Sequence, residues 1–245
     1  MTIKVAVVGA TGRMGKLATD LIEGAQDLSL HAALDSKSEL SQMLGADVVF
    51  DVTNPDVSGE VVAFAINNGL KILVGTSGYS AAKLATLTHQ LDAASPTSAA
   101  VVVIPNFSVG SMLATRFAVL ASEFFDSIEI IEAHHAGKVD SPSGTAVRTA
   151  ELISEARETA GKSAPLVPGL GQSARGELVA GVPIHSLRVA GVSASQEVVL
   201  GGDSELLTIS HSTSSVQAYS KGILLALRHT ASATGLTVGL DKVIG

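Results

Sequence analysis

Short apolar runs separated by helix-like stretches constrain the fold of this chain more than any other feature. Ile3–Val8, Leu28–Leu34, Asp47–Val52, Lys71–Val74 and Ala99–Ile104 read as strands. Their length and their Val, Ile, Leu and Ala content suit strands buried on both faces of a parallel sheet. Gly12–Glu23, Val57–Asn67 and Ala81–Ala93 read as the intervening helices. Strands alternating with helices imply right-handed crossovers and a doubly wound α/β arrangement. Mean hydropathy is +0.40, yet no run approaches the roughly 18 apolar residues a membrane span needs. The first run stops at Gly9 in a glycine-rich turn, so it reads as a strand rather than a secretory leader.

The pattern changes after Pro105-Asn106-Phe107. Ser108–Phe125 reads as a helix with an apolar stripe of Met112, Phe117, Leu120 and Phe124. Ile128–Ala133 reads as a strand and Ser143–Ala160 as a helix. Lys162–Gly181 is Gly/Pro-rich and irregular. His185–Val189, Gln196–Leu200 and Glu205–Ser210 follow as strands with no helix between them, and Gly201-Gly202-Asp203 fits a hairpin turn. Val216–Ala233 reads as a last helix. The second part therefore predicts an α+β domain with a mixed or antiparallel sheet.

Composition removes several function classes. The 245 residues carry 16 Lys+Arg against 23 Asp+Glu, a net charge of −7, which argues against a general nucleic-acid binder but leaves room for a local cationic pocket. The chain has no cysteine, so disulfides and thiolate metal sites are excluded and a reducing, cytoplasmic setting is expected. No tryptophan and 3% aromatic residues argue against a stacking platform for bases.

Gly9-Ala10-Thr11-Gly12-Arg13-Met14-Gly15 follows the first strand and opens a helix. Gly9 and Gly12 permit a tight turn and close backbone approach to a pyrophosphate, and Gly15 permits close helix–strand packing. The pyrophosphate would rest on the helix N-terminus. Thr11, Arg13 and Met14 complete this part of the candidate cofactor site. Asp35 ends the second strand, 20 positions after Gly15, where a carboxylate can accept both adenosine ribose hydroxyls and favours NADH. Arg13, Lys16 and Lys37 lie near that corner and could meet a 2′-phosphate, so NADH, NADPH or both are expected. Thr53 in Asp51-Val-Thr-Asn-Pro and the Gly75-Thr76-Ser77-Gly78 segment lie at carboxyl ends of later strands, where ligands of open α/β sheets bind. The fold expected is a Rossmann-like doubly wound parallel sheet plus the second α+β domain.

Glu129-Ile-Ile-Glu132-Ala-His134-His135-Ala-Gly-Lys138-Val-Asp140-Ser-Pro142-Ser143-Gly144-Thr145-Ala146 concentrates reactive chemistry. An imidazole has an ordinary pKa of about 6.5 and can deliver a proton at neutral pH, which makes His134 the candidate general acid. Lys138 is a cation for one carboxylate of a substrate or an aid to proton delivery, and His135 would contact the substrate's other side. Ser143, Gly144 and Thr145 open a helix whose first N–H groups suit a carboxylate, alongside ordinary capping. Glu132 and Asp140 read as residues that orient the loop. Adjacent histidines rarely face one metal, and no third ligand has helical spacing, so no metal is expected. The residues imply a small dianion and the movement of a proton.

This stretch resembles the signature of the 4-hydroxy-tetrahydrodipicolinate reductase family, Glu-[Ile/Val]-x-Glu-x-His-x-x-x-Lys-x-Asp-x-Pro-Ser-Gly-Thr-Ala, and meets every specified position from Glu129 to Ala146. The resemblance covers nearly the whole chain. It implies NAD(P)H-dependent reduction of 4-hydroxy-tetrahydrodipicolinate to 2,3,4,5-tetrahydrodipicolinate, in the diaminopimelate route to lysine. Water is lost, a hydride reaches a ring carbon of a conjugated cyclic imine, and His134 protonates the adjacent carbon. The Gly75-Thr76-Ser77-Gly78 loop resembles the family's nicotinamide-side loop, and Pro105-Asn106-Phe107-Ser108 its interdomain hinge. The resemblance further implies a discontinuous dinucleotide-binding domain over 1–106 and 215–245. It implies a substrate-binding and oligomerisation domain over 107–214, and a homotetramer whose antiparallel sheets meet across subunits. The chain departs from common relatives at Ser195-Gln196, where a histidine is usual, and at Ser212 and its successors after His211. Another reductase on the same scaffold would explain the glycines and Asp35 but not the full signature. A non-catalytic NAD(H)-sensing regulator would need neither His134 nor Lys138.

Overall fold

The computed structural model describes residues 2–94, 98–169 and 171–245. Leu170, within the stretch expected to be irregular, lies outside the described residues. The chain runs β1 (Ile3–Val8), α1 (Arg13–Gly24), β2 (Leu28–Leu34), β3 (Val48–Asp51), α2 (Pro55–Asn67), β4 (Lys71–Val74), α3 (Ala81–Ala93) and β5 (Ala100–Val103). It continues with α4 (Val109–Ala121), β6 (Ser127–His134), α5 (Gly144–Thr159), β7 (Glu177–Val179), β8 (Val182–Arg188), β9 (Ala194–Gly202) and β10 (Glu205–Thr213). It ends with α6 (Ser220–Ser232), β11 (Gly235–Val238) and α7 (Leu240–Ile244). Two compact units result, Met1–Val109 with Val216–Gly245, and Gly110–Ser215.

The first unit is a six-stranded parallel sheet in the order β11-β5-β4-β3-β1-β2. Its central strands are buried, with Val5–Val8, Val48–Phe50 and Ile72–Val74 losing nearly all solvent contact, while the edge strands β2 and β11 are partly exposed. Asn54 shows how local chemistry sets an element boundary. Its side chain accepts from the N–H groups of Asp56 and Val57 at 3.0 and 3.2 Å, and Pro55 takes the first helical position of α2. One strand of this sheet is absent from the sequence reading. Gly235–Val238 is too short to register as a periodic run, and it becomes a strand only by pairing with Ala100–Val103.

The second unit carries a mixed sheet in the order β10-β9-β6-β8-β7. Strand β6 is antiparallel to β9 and parallel to β8, and α5 lies between β6 and β8 in the chain. That crossover sets the ends of β6 and β8 side by side, with His134 opposite Arg188. Ala146, Ala150 and Ile153 of α5 pack on Ile128, Ile130, Val182, Ile184, Val198 and Leu200.

Two local expectations change. The apolar stripe of α4 does not face the core: Phe117, Leu120 and the following Phe124 are 54%, 64% and 77% exposed. The helix instead turns Ser111, Ala118 and the following Ser122 inward, and Thr115 meets Thr149 of α5 at 3.1 Å. The inward face is thus the one with small side chains, which apolar periodicity does not distinguish. The β9–β10 turn is Asp203-Ser204, with Ser204 at φ 63°, while Gly201 and Gly202 stay in the strand. A side chain at Gly201 would bring its Cβ 2.6 Å from the Ser127 hydroxyl, which would have to rotate away from the Gly201 carbonyl it bonds.

Candidate functional site

The glycine-rich turn of the first unit is shaped by backbone proximity. Gly9 has φ 89°, and a Cβ on it would lie 2.7 Å from the Val52 carbonyl oxygen. A Cβ on Gly15 would run into the Gly9 carbonyl, so α1 packs against the turn with no space to spare. Gly12 is the N-cap of α1 and offers no side-chain cap, which leaves the first-turn amides of α1 suited to an anionic ligand. The chain winds from β1 to β2 on one side and crosses to β3 on the other, so this turn stands at the topological switch point of the sheet. Thr11 and Arg13 are exposed beside it and Met14 is partly buried.

Asp35 follows β2 and is held in a tight local turn. Its carboxylate accepts the Lys37 N–H and the Ser38 hydroxyl, each at 2.9 Å, and these two bonds hold it below the usual aspartate value. Thr53 donates its N–H and hydroxyl to Asp51 at 3.1 and 2.6 Å. Asp51 is fully buried and also takes the Ser58 hydroxyl, and Ser58 meets the Tyr79 hydroxyl at 2.7 Å. This chain of bonds ties the loop after β3 to the Gly75–Gly78 loop after β4. Within that loop the Thr76 hydroxyl is buried without a hydrogen-bond partner among the described residues, an orphan that suits a polar ligand atom. Phe107 packs edge-on to Phe50 at 5.5 Å, and a Cβ on Gly75 would lie 2.8 Å from the Phe107 ring. Asn106 accepts the Ser108 N–H at 2.9 Å, with Pro105 exposed before it. Glycines with no room for a side chain, an uncapped helix start and an orphan hydroxyl fit a dinucleotide.

In the second unit, the carboxylate of Glu132 is the hub of the His-Lys loop. It is 0% exposed. Nδ1 of His134 lies 2.6 Å from its Oε2. Arg188 grips it with both arms of the guanidinium, Nη1 to Oε2 at 3.0 Å and Nη2 to Oε1 at 2.9 Å. The Ser143 N–H adds a bond to Oε1 at 3.2 Å. Burial alone would raise the Glu132 carboxyl, but hydrogen bonds from Arg188, Ser186 and His134 hold it below the usual glutamate value. With Nδ1–H directed at the carboxylate, Nε2 of His134 is the nitrogen left for a substrate; that tautomer is inferred from the bonding pattern.

The rest of the loop is organised around this hub. Lys138 donates to both oxygens of Asp140 at 2.7 and 2.6 Å, and its N–H closes a turn onto the His135 carbonyl at 3.0 Å. Arg188 also donates to the Asp140 carbonyl oxygen at 2.6 Å. Ser143 caps α5 by accepting the Ala146 N–H at 3.2 Å, and the first helical bond runs from Val147 to Ser143. Gly144 and Thr145 therefore occupy the helix start, where N–H groups lack intrahelical partners. The structure brings His134, Lys138 and Ser143 into one network with Glu132 and Asp140. Among the described residues no group of three or more His, Asp or Glu is placed to hold a metal ion.

Glu129 has a different environment. It is three residues from Glu132, so strand alternation sends it to the other face of β6. There it accepts from Arg175 and lies 2.7 Å from His185. Burial opposes its charge, and Arg175 and His185 outweigh burial and lower its pKa. A hollow of about 590 Å³ lies against Glu129, Ile131, His185 and Leu187, beside a second of about 310 Å³ at Arg175 and Leu178. Neither is lined by His134, whose loop is open to solvent. Arg188, Arg175 and His185 escaped the sequence reading. The one signal for Arg188 was its place near the end of a strand, which many surface arginines share.

Residues 3–107 match the family model described as dihydrodipicolinate reductase, N-terminus, and residues 109–244 match the model for its C-terminus. A 4-hydroxy-tetrahydrodipicolinate reductase of Clavibacter sepedonicus is 55% identical over 100% of this chain and 87% of its own length. One from Nocardia farcinica is 43% identical over 100% of this chain and 99% of its own. A dipicolinate-bound dihydrodipicolinate reductase structure from Paenisporosarcina sp. TG-14 is similar with a TM-score of 0.82 at 28% identity, covering 99% of both chains.

Proposed function

The chain belongs to the dihydrodipicolinate reductase family, and from that premise we propose that it reduces 4-hydroxy-tetrahydrodipicolinate to 2,3,4,5-tetrahydrodipicolinate with NADH or NADPH. The observation that carries this reading is the buried Glu132 carboxylate, which joins His134 to the start of α5 beside Lys138. When bound, the nicotinamide would supply the hydride to the ring from which the hydroxyl has left as water. His134 would hold a proton on Nε2 and deliver it to the carbon next to the one reduced, while Glu132 stabilises the imidazolium before transfer. Lys138 exchanges Asp140 for a substrate carboxylate. Ser143, Gly144 and Thr145 cradle a carboxylate at the helix start, and His135 borders the ring. A relative solved with dipicolinate, a planar dicarboxylate, supports a substrate of that shape and charge.

In the first unit, Gly9, Thr11, Gly12, Arg13, Met14 and Gly15 hold the pyrophosphate. Asp35 takes the adenosine ribose hydroxyls. Thr53, Gly75, Thr76 and Ser77 line the nicotinamide side, and Pro105, Asn106 and Phe107 form the hinge. The dinucleotide domain is 1–106 with 215–245, and 107–214 binds substrate and carries assembly. A homotetramer is part of the reading, supported by Ile131, Leu187 and Leu206 exposed on the mixed sheet. A cytoplasmic setting is also proposed, and no described helix is long and apolar enough to cross a membrane.

The test supplies the protein with freshly made condensation product of pyruvate and aspartate semialdehyde and follows oxidation of NADH and NADPH. Substrate-dependent oxidation is expected, and the ratio of rates gives cofactor preference. Absence of oxidation with either cofactor, in protein that binds NADH, overturns the assignment.

A further inference from the structure

Arg188 stands 56 positions from Glu132 and reaches the His-Lys loop because β6 and β8 are parallel neighbours. Its guanidinium makes two bonds to the Glu132 carboxylate and one to the Asp140 carbonyl. Through Glu132 it connects to Nδ1 of His134 and to the N–H of Ser143, and through Asp140 to Lys138. The three groups assigned to proton delivery and carboxylate binding thus share one cation that belongs to none of them. We propose that Arg188 is the positioning residue of this site, fixing the His134 ring and the spacing of His134, Lys138 and the α5 start as one unit. The proposal rests on the reductase reading for its catalytic consequence.

The physical argument concerns the charge on Glu132. The carboxylate is fully buried, and burial favours its protonated form. The groups facing it are His134 on its own strand, Arg188 and Ser186 on β8, the Ser143 amide from the loop, and neutral Gln196 opposite it on β9. Arg188 is the one permanent cation of that set. Without it, Glu132 takes up a proton more readily and loses its hold on Nδ1–H, so the imidazole can change tautomer and turn. Lysine could supply charge but not a planar fork that spans a carboxylate and a carbonyl.

The experiment compares Arg188→Gln and Arg188→Lys with the wild type. It measures kcat and KM for the dicarboxylate across pH, the Kd for NADH, and the His134 ring proton and nitrogen resonances without substrate. For Arg188→Gln, kcat should fall about 10- to 100-fold, no more than the lower end of the 10²–10⁴ a general acid supplies, because the acid itself is still present. The pH limb of kcat should move, KM should rise, and NADH affinity should hold. Arg188→Lys should restore the pH limb and leave KM raised. An Arg188→Gln protein with kcat, pH limb and KM within about twofold of wild type overturns the proposal, as does a fall in melting temperature alone. If Arg188→Gln does not fold, an unchanged KM in Arg188→Lys overturns it instead. If the wild type itself shows no turnover, the reductase reading fails. The resonances then decide the positioning role: a His134 ring signal indifferent to Arg188 overturns it, and a shifted one supports it.

Discussion

The dinucleotide cradle of the first unit is made mostly of backbone: a left-handed Gly9, an uncapped α1 and a Gly15 that leaves no space for a methyl group. The His-Lys loop of the second unit is made of side chains, with Glu132, His134, Lys138, Asp140 and Arg188 linked by charge-assisted bonds. The cradle's parts lie within seven residues of one another and need only a strand, a turn and a helix. The loop needs a partner from a strand that follows a whole helix and a long irregular stretch. Backbone sites tolerate changes of surface charge and fail when a Cβ is added. Side-chain sites tolerate small shifts of backbone and fail when a charge is left unpaired.

The sharpest way to break this contrast is His134→Gln. Loss of the proton donor should lower kcat about 10²- to 10⁴-fold with the NADH Kd unchanged; unchanged turnover in steady-state assays removes His134 as the acid. Gly15→Ala should do the reverse. Its methyl group meets the Gly9 carbonyl, so stability should fall by about 1–3 kcal/mol and NADH affinity should drop, read by denaturant melts and fluorescence titration. Asp35→Ala should weaken NADH by about tenfold, the value of roughly 1.5 kcal/mol for a bond to a charged acceptor, and should weaken NADPH less. An equal loss for both cofactors would mean that Asp35 does not meet the ribose.

The smallest effect is in acid. Glu129 and Glu132 have folded-state values below their ordinary ones. Their contribution is complete above the unfolded glutamate value, about 4.3. It is lost as pH falls through the lower folded value. Melting temperature should therefore decline across that acid window, and less steeply in Glu132→Gln. Equal slopes would show that Glu132 is not a linked group.

Most of the first sheet was readable because buried parallel strands are continuous apolar runs. β11 was not, since Gly235–Val238 owes its strand conformation to Ala100–Val103. The α4 stripe misled for a related reason. A 3.6-residue apolar period marks one face of a helix, but Ser111, Thr115 and Ala118 show that the inward face can be the small one. In the loop, spacing exposed Glu132, His134 and Lys138 together and put Glu129 on the opposite face of β6, but it did not show that Arg175 and His185 would meet it there.

By itself, the sequence determined the strand–helix alternation, the glycine turn and the acid after β2, and the density of proton-active residues between Glu129 and Ala146. Those are local facts, fixed by the residue's own conformational range and charge. Only the tertiary structure decided that Arg188 opposes His134, that Glu132 is sealed from water, and that Asp51 links to Tyr79 through Ser58. These depend on which strands pair and in what register. Pairing is chosen by the burial of all the strands together, which no single segment encodes.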